Sequence, residues 1–418
     1  MPGELLRVVT AGSVDDGKST LVGRLLHDAK AVLTDQLSAV EAASERRGYD
    51  GADLALLVDG LRAEREQGIT IDVAYRYFAT TRRTFILADT PGHVQYTRNT
   101  VTGASTADVA VILVDARSGV VDQTRRHAAV AALLRVEHVV LAVNKMDLVD
   151  FAEDVFDRIV TDFAGAAESL KLPSFTPIPV AALAGDNVVD RSVRMDWYTG
   201  PSLLHFLEEV TPRPGIEVPA RFPVQMVIRP RTPEYPDYRG YAGRVEAGPL
   251  RVGDEVVVLP SGLRTTVSGI DSADGTMSVA EAGRSVVVRL SDDVDISRGD
   301  LLAVDRAPTP VPVNRLTATL CWLADRPLRP GDRFSLRHTT RDVRAVVDDV
   351  RSRLDVATVT SERTGELELN DIGTVFIRTA DPVVIDAYEV NRSTGAFLLV
   401  DEVSGATVAA GMVSAIQP

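Results

Sequence analysis

The chain has 418 residues, 45% apolar and 25% charged, a composition that excludes disorder, collagen and a disulfide scaffold and leaves room for about two or three domains. Lys and Arg number 45 against 59 Asp and Glu, a net charge of −14, so nucleic-acid binding would need a local basic patch that the totals do not supply. No apolar run approaches the ~20 residues of a membrane span, the first nine residues lack a signal-peptide layout, and the lone Cys321 reads as a buried thiol, so the chain reads as cytoplasmic with no membrane partner.

From Leu5 to about Val210, short apolar runs alternate with helical patterns. Leu5–Ala11, Phe85–Ala88, Val109–Asp115, His138–Asn144 and Thr176–Ala182 read as buried strands. Phe151, Val155, Ile159, Phe163 and Ala167 recur every fourth residue opposite Glu153, Asp154, Asp157 and Asp162, which predicts an amphipathic helix. This alternation predicts an α/β domain with a mostly parallel sheet. Pro-rich segments around Pro212–Pro219 and Ala307–Pro312 interrupt the chain. Phe222–Ile228, Tyr241–Glu246, Asp254–Leu259, Arg284–Leu290 and Asp300–Val304 read as short strands between glycine turns, and a further β-rich stretch begins at Leu316. The expected organisation is an α/β domain over 1–214 followed by two all-β barrel domains over 219–306 and 313–418.

Gly12-Ser13-Val14-Asp15-Asp16-Gly17-Lys18-Ser19 is a complete G-x-x-x-x-G-K-[ST] loop, placed between the first strand and a helix opening at Thr20. Its glycines allow the backbone N–H groups to converge on phosphate oxygens. Lys18 would neutralise the β- and γ-phosphates, and the Ser19 hydroxyl would ligate Mg²⁺. Asp89-Thr90-Pro91-Gly92-His93 follows another strand; Asp89 can hold Mg²⁺ through water, and the Gly92 N–H can meet the γ-phosphate. Asn144-Lys145-Met146-Asp147 ends a third. The Asp147 carboxylate can accept both N–H donors of a guanine edge, which adenine does not offer, so the expected cofactors are GTP and Mg²⁺. In Glu66-Gln67-Gly68-Ile69-Thr70-Ile71, Thr70 is the natural second hydroxyl for Mg²⁺ in a segment that orders around the γ-phosphate. His93 is the candidate that orients the attacking water, with Lys18 and Thr70 beside it; His27, His127, His138, His205 and His338 read as structural or surface histidines.

Taken together, these motifs resemble translation-factor-type GTPases, in which a P-loop GTPase domain precedes two β-barrels. Gly12–Ser19, the run Leu57–Asp72, Gly92-His93-Val94-Gln95-Tyr96-Thr97-Arg98-Asn99 and Asn391–Phe397 with Gly411-Met412-Val413 are more specifically similar to the GTPase subunit of bacterial heteromeric sulfate adenylyltransferase. Elongation factors usually carry histidine where this loop has Ser13 and Asp16. The resemblance implies that the chain hydrolyses GTP while a partner subunit of the ATP-pyrophosphatase type joins ATP and sulfate into adenosine 5′-phosphosulfate and pyrophosphate, in a heterodimer or larger hetero-oligomer. It also implies an apolar gate of Val14 and Ile69 beside His93, and a guanine-closing loop at Ala181-Ala182-Leu183, where the family generally reads Ser-Ala-Leu and where the Ala182 N–H would meet the guanine oxygen. No lysine follows Lys171, so these 418 residues hold no second Walker lysine of the kind a fused adenosine-phosphosulfate kinase needs. The alternatives are an elongation-factor-like carrier of aminoacyl-tRNA, which Ser13, Asp16 and the negative charge weigh against, and a stand-alone GTPase switch.

Overall fold

Strand β1 (Leu5–Ala11) leads into α1 (Lys18–Asp28), followed by β2 (Ala74–Ala79), β3 (Thr84–Asp89), α2 (Thr97–Ala104) and β4 (Val109–Asp115). Then come α3 (Asp122–Leu133), β5 (His138–Asn144), α4 (Glu153–Ser169), β6 (Phe175–Pro179) and α5 (Leu203–Glu209). This computed structural model describes residues 5–32, 35, 37–38, 40, 44, 54–57, 72–93, 97–172, 174–211, 218–230, 232–233, 237–306, 309–355 and 360–417. Contacts divide the chain into two units, Met1–Arg213 with Asp355–Thr360, and Pro214–Leu354 with Ser361–Pro418.

In the first unit six strands form one sheet in the order β2-β3-β1-β4-β5-β6. Every neighbouring pair is parallel except β2–β3 at the edge. Central β4, Val-Ala-Val-Ile-Leu-Val-Asp, is buried at all seven positions, the continuous apolar pattern of a parallel strand covered on both faces. The loops after β1 and β3 leave the sheet beside the point where strand order reverses, between β1 and β4, and there α/β sheets form their ligand crevice.

Two expectations shift. In α4 the buried stripe is Phe156, Ile159, Phe163, Ala166 and Ala167; strict spacing by four drifts off a face that repeats every 3.6 residues, and Val155 falls to its margin. Strand β6 stops at Pro179 instead of reaching Ala182, and the Ala181 carbonyl accepts the N–H groups of Ala184, Gly185 and Asp186, which turns the chain away.

The second unit is all β. Its first barrel comprises β7 (Arg221–Ile228), β8 (Gly240–Arg244), β9 (Leu250–Arg251), β10 (Glu255–Leu259), β11 (Leu263–Ser272), β12 (Gly275–Met277), β13 (Val279–Ala280), β14 (Ser285–Leu290) and β15 (Leu301–Val304). Order β10-β15-β7-β8-β14-β11, with β11 pairing back to β10, closes a six-strand ring. The second barrel comprises β16 (Pro312–Trp322), β17 (Arg333–His338), β18 (Arg341–Asp355), β19 (Thr360–Arg363), β20 (Ile372–Val384), β21 (Ala396–Val400) and β22 (Thr407–Gln417). It closes as β17-β21-β22-β16-β20-β18 through β17–β18. Closure removes the exposed sheet edges. Each barrel packs its own core, around Phe222, Tyr241 and Val258 in the first and Trp322, Phe334 and Phe397 in the second.

Between them, Val257, Leu259, Leu301 and Ala303 meet Val384, and the buried Arg221 guanidinium pairs with Asp386 at 3.3 Å. Cys321 is a buried free thiol, as expected. No helix among the described residues is long and apolar enough to cross a membrane.

Candidate functional site

The loop joining β1 to α1 is closed on itself. Asp16 N–H donates to Ser13 O at 3.3 Å, and the Asp16 carboxylate accepts from Ser13 N–H at 2.6 Å. Gly17 has φ 91°, and a Cβ there would stand 2.5 Å from Asn144 Nδ2, so both backbone and space demand glycine. Lys18 opens α1 and folds back, its Nζ donating to Gly12 O at 2.9 Å and Ser13 O at 2.8 Å. Burial pushes the Lys18 pKa down, against the pull of Asp89, Asp16 and Asp15. Burial likewise pushes Asp16 up, opposed by the Ser13 N–H and Lys18. Lys18 and Lys145 are the cations that favour the charged form of Asp16, and Lys145 Nζ also donates to the backbone carbonyl of Asp15.

Asp89 ends β3 fully buried. One carboxylate oxygen accepts from Thr10 Oγ1 at 2.7 Å and the other lies 3.4 Å from Ser19 Oγ. A hydroxyl and a carboxylate side by side are hard oxygen donors that fit Mg²⁺, an ion that keeps several waters and takes phosphate oxygens. Among the described residues no group of three or more His, Cys, Asp and Glu side chains could hold a metal ion. A Cβ on Gly92 would lie 2.5 Å from Lys18 Nζ; only glycine brings this backbone so near the ammonium. His93 follows it, exposed, and Val14 is 39% exposed at the loop's tip. Thr70 and Ile69 lie outside the described residues.

Asn144 ends β5 and ties the two sides together. Its amide donates to Asp16 O at 2.8 Å and accepts the Ala182 N–H at 3.0 Å. The Ala182 N–H expected to meet a guanine oxygen is therefore engaged with Asn144. Lys145 adopts φ 64° and pairs with Asp115 at 2.9 Å. Asp147 lies in a 3-10 turn, Met146–Val149, its carboxylate without a hydrogen-bond partner among the described residues, and Leu183 is exposed. The arrangement offers a cationic, N–H-rich cradle at the ends of β1 and β3 and a hydrogen-bonding recess at the end of β5.

The profile of the elongation factor Tu GTP binding domain matches residues 3–213, and that of the GTP-eEF1A C-terminal domain-like family matches 315–414. The bifunctional enzyme CysN/CysC of Mycobacterium tuberculosis is 54% identical over 98% of this chain and 67% of its own length. Sulfate adenylyltransferase subunit 1 of Aeromonas salmonicida is 50% identical over 98% of this chain and 86% of its own. Its counterpart in Cellvibrio japonicus is also 50% identical, over the same shares. The chain belongs to the sulfate adenylyltransferase subunit 1 family of elongation-factor-Tu-type GTPases.

Of the residues singled out in the sequence, the structure brings the Gly12–Ser19 loop, Asp89, Gly92, Asn144, Lys145 and Ala182 together through the contacts above, whereas Asp147 lies in the turn after Lys145. Sequence reasoning missed three residues that shape the crevice. Asp115 ends β4 and is held by Arg117 at 2.6 Å and Lys145 at 2.9 Å; burial alone would raise its pKa, but these hydrogen bonds hold it well below the usual carboxylate range. Its place at the end of an apolar strand, like that of Asp89, was a usable signal. His127 lies buried under the loop with Nε2 at 3.2 Å from Gly12 O; burial first, then Lys18, lowers its pKa to about 3. Arg24 of α1 donates to the carbonyls of Ala182, at 3.2 Å, and Leu183. Neither His127 nor Arg24 stands in a motif that marks it.

Proposed function

We propose that the chain is the GTP-hydrolysing subunit of a cytoplasmic sulfate adenylyltransferase in sulfate assimilation, coupling hydrolysis to the synthesis of adenosine 5′-phosphosulfate and pyrophosphate by a partner adenylating subunit. The observation that carries the nucleotide assignment is Asn144, whose single amide joins the phosphate loop to the guanine-closing loop. Phosphates would lie along the N–H groups of Gly12, Ser13, Val14, Asp15, Asp16, Gly17, Lys18, Ser19 and Thr20, with Lys18 against the β- and γ-phosphates. Asp147 would accept the two guanine N–H donors, with Lys145 and Ala181–Leu183 enclosing the base. Mg²⁺, held by Ser19 with Asp89 and Thr70, would neutralise charge on the phosphate oxygens. His93 would orient the water that attacks the γ-phosphorus, and the Gly92 N–H would report the γ-phosphate to the following segment.

A phosphosulfate anhydride is strongly uphill from ATP and sulfate, which gives GTP hydrolysis a thermodynamic purpose, provided that a conformational element is biased by GTP. The reading divides the chain at 1–214, 219–306 and 313–418, supported by two barrels that each close on their own strands. The test is GTP turnover by the chain alone and with the adenylating subunit, ATP and sulfate. Turnover that rises when all three are present supports the coupling; turnover indifferent to them returns the chain to a stand-alone switch or, if aminoacyl-tRNA raises it, to a carrier.

A further inference from the structure

The loop Ala181-Ala182-Leu183 carries no side-chain hydroxyl of its own, and the structure shows what braces it. Arg24 lies six residues after Lys18 on the same helix, its side chain 21% exposed. Its Nε donates to Ala182 O at 3.2 Å and its Nη2 to Leu183 O, so the planar fork of one guanidinium meets two consecutive carbonyls. Asp28 backs it: Oδ1 lies 3.5 Å from Arg24 Nη1 and 2.6 Å from His27 Nδ1. The loop sits tightly on this pair, for a Cβ on Gly185 would come 3.1 Å from the Asp28 carboxylate.

The carbonyl of Ala182 and the N–H of Leu183 belong to one planar peptide, so pinning the first fixes the direction of the second. The Ala182 N–H is already given to Asn144. The Leu183 N–H has no partner among the described residues and lies on an exposed turn. We propose that Arg24 is a positioning residue for base specificity, holding the Leu183 N–H as the donor to the guanine 6-oxygen. The proposal rests on the base site assigned above. It makes α1 a single rigid link that carries Lys18 at its start and sets the base loop with its next turns.

The experiment measures displacement of a fluorescent GDP analogue from the full chain by GDP, ADP and xanthosine diphosphate. For Arg24→Ala, GDP affinity falls about ten- to a hundredfold, the size expected for a lost charge-assisted hydrogen bond, while ADP, whose base offers no 6-oxygen, changes by less than about twofold. Arg24→Lys, which keeps the charge and one donor but not the fork, recovers part of the loss. Equal losses for GDP and ADP would make Arg24 a general brace of α1 and overturn the proposal, as would unchanged GDP affinity. Asp147→Asn is measured alongside. If it gains xanthosine diphosphate while Arg24→Ala keeps its selectivity, the base site stands and Arg24 is excluded; if it gains none, the base site is elsewhere and the proposal falls with it.

Discussion

His127 beneath the phosphate loop and His338 in the second barrel are both buried, and burial lowers both pKa values, to about 3 and about 4. Around His338 the polar groups form a chain with a partner at each step. Its Nε2 lies 2.9 Å from Thr394 O, the Thr394 hydroxyl donates to Asp386 at 2.6 Å, and Asp386 receives the Arg221 guanidinium. The family-like segment Asn391–Phe397 therefore contributes through Thr394 to the joint between barrels. Around His127 matters are less settled: its Nδ1 and the Ser13 hydroxyl are buried with no partner among the described residues, and Lys18 and Asp16 are both pushed toward neutrality by burial. Buried groups joined pair by pair serve the fold, whereas partnerless polar atoms beside two charged groups that burial disfavours, at the end of a parallel sheet, mark a ligand site.

That contrast can be broken first at Lys18. Lys18→Ala should lower GTP affinity on the order of a thousandfold, as expected when one partner of a buried charge pair is removed, and leave the barrels' thermal transition in place. Titration calorimetry and scanning calorimetry on the same variant measure both. His93→Ala should slow hydrolysis by about 10²- to 10⁴-fold, the range of a positioned proton-handling group, with GDP affinity within about twofold; normal turnover in single-turnover assays would remove His93 from the chemistry.

The converse is Asp386→Ala, which leaves Arg221 buried without its carboxylate. It should cost about 3–5 kcal/mol in the barrel transition and spare nucleotide binding. A parallel fall in GTP affinity would show that the paired network also serves the site.

A further effect is on acid stability. Because the folded His127 titrates near 3 and the free side chain at 6.5, the unfolded chain takes up the proton first. Stability present above pH 6.5 is then lost progressively as pH falls toward 3. His127→Gln should flatten this loss in urea midpoints measured across that range; an unchanged slope would place the acid sensitivity elsewhere.

Val109–Asp115 and His138–Asn144 were legible to the residue because strands buried on both faces are near-continuous apolar runs, and Leu5–Ala11 because its apolar residues lead straight into the phosphate loop. The phosphate loop was legible because its chemistry is local. Arg24 and His127 were not, since the carbonyls they meet lie 158 and 115 residues away in sequence, and only the folded α/β unit brings them together. The barrel strands blurred for a related reason: β18, Arg-Asp-Val-Arg-Ala-Val-Val-Asp-Asp-Val-Arg, alternates buried and exposed positions, so half its residues look like loop. Proline marked the end of β6 at Pro179, a signal available in the sequence but outweighed there by the apolar residues that follow it.

In the proposed function, GTP hydrolysis at this site drives phosphosulfate synthesis. The most direct test is pyrophosphate release from ATP and sulfate by the chain mixed with its adenylating subunit, with GTP, with a non-hydrolysable GTP analogue and with neither. Release sustained by GTP and not by the analogue is the predicted result. Equal release in all three mixtures, with GTP still bound and hydrolysed, would contradict it.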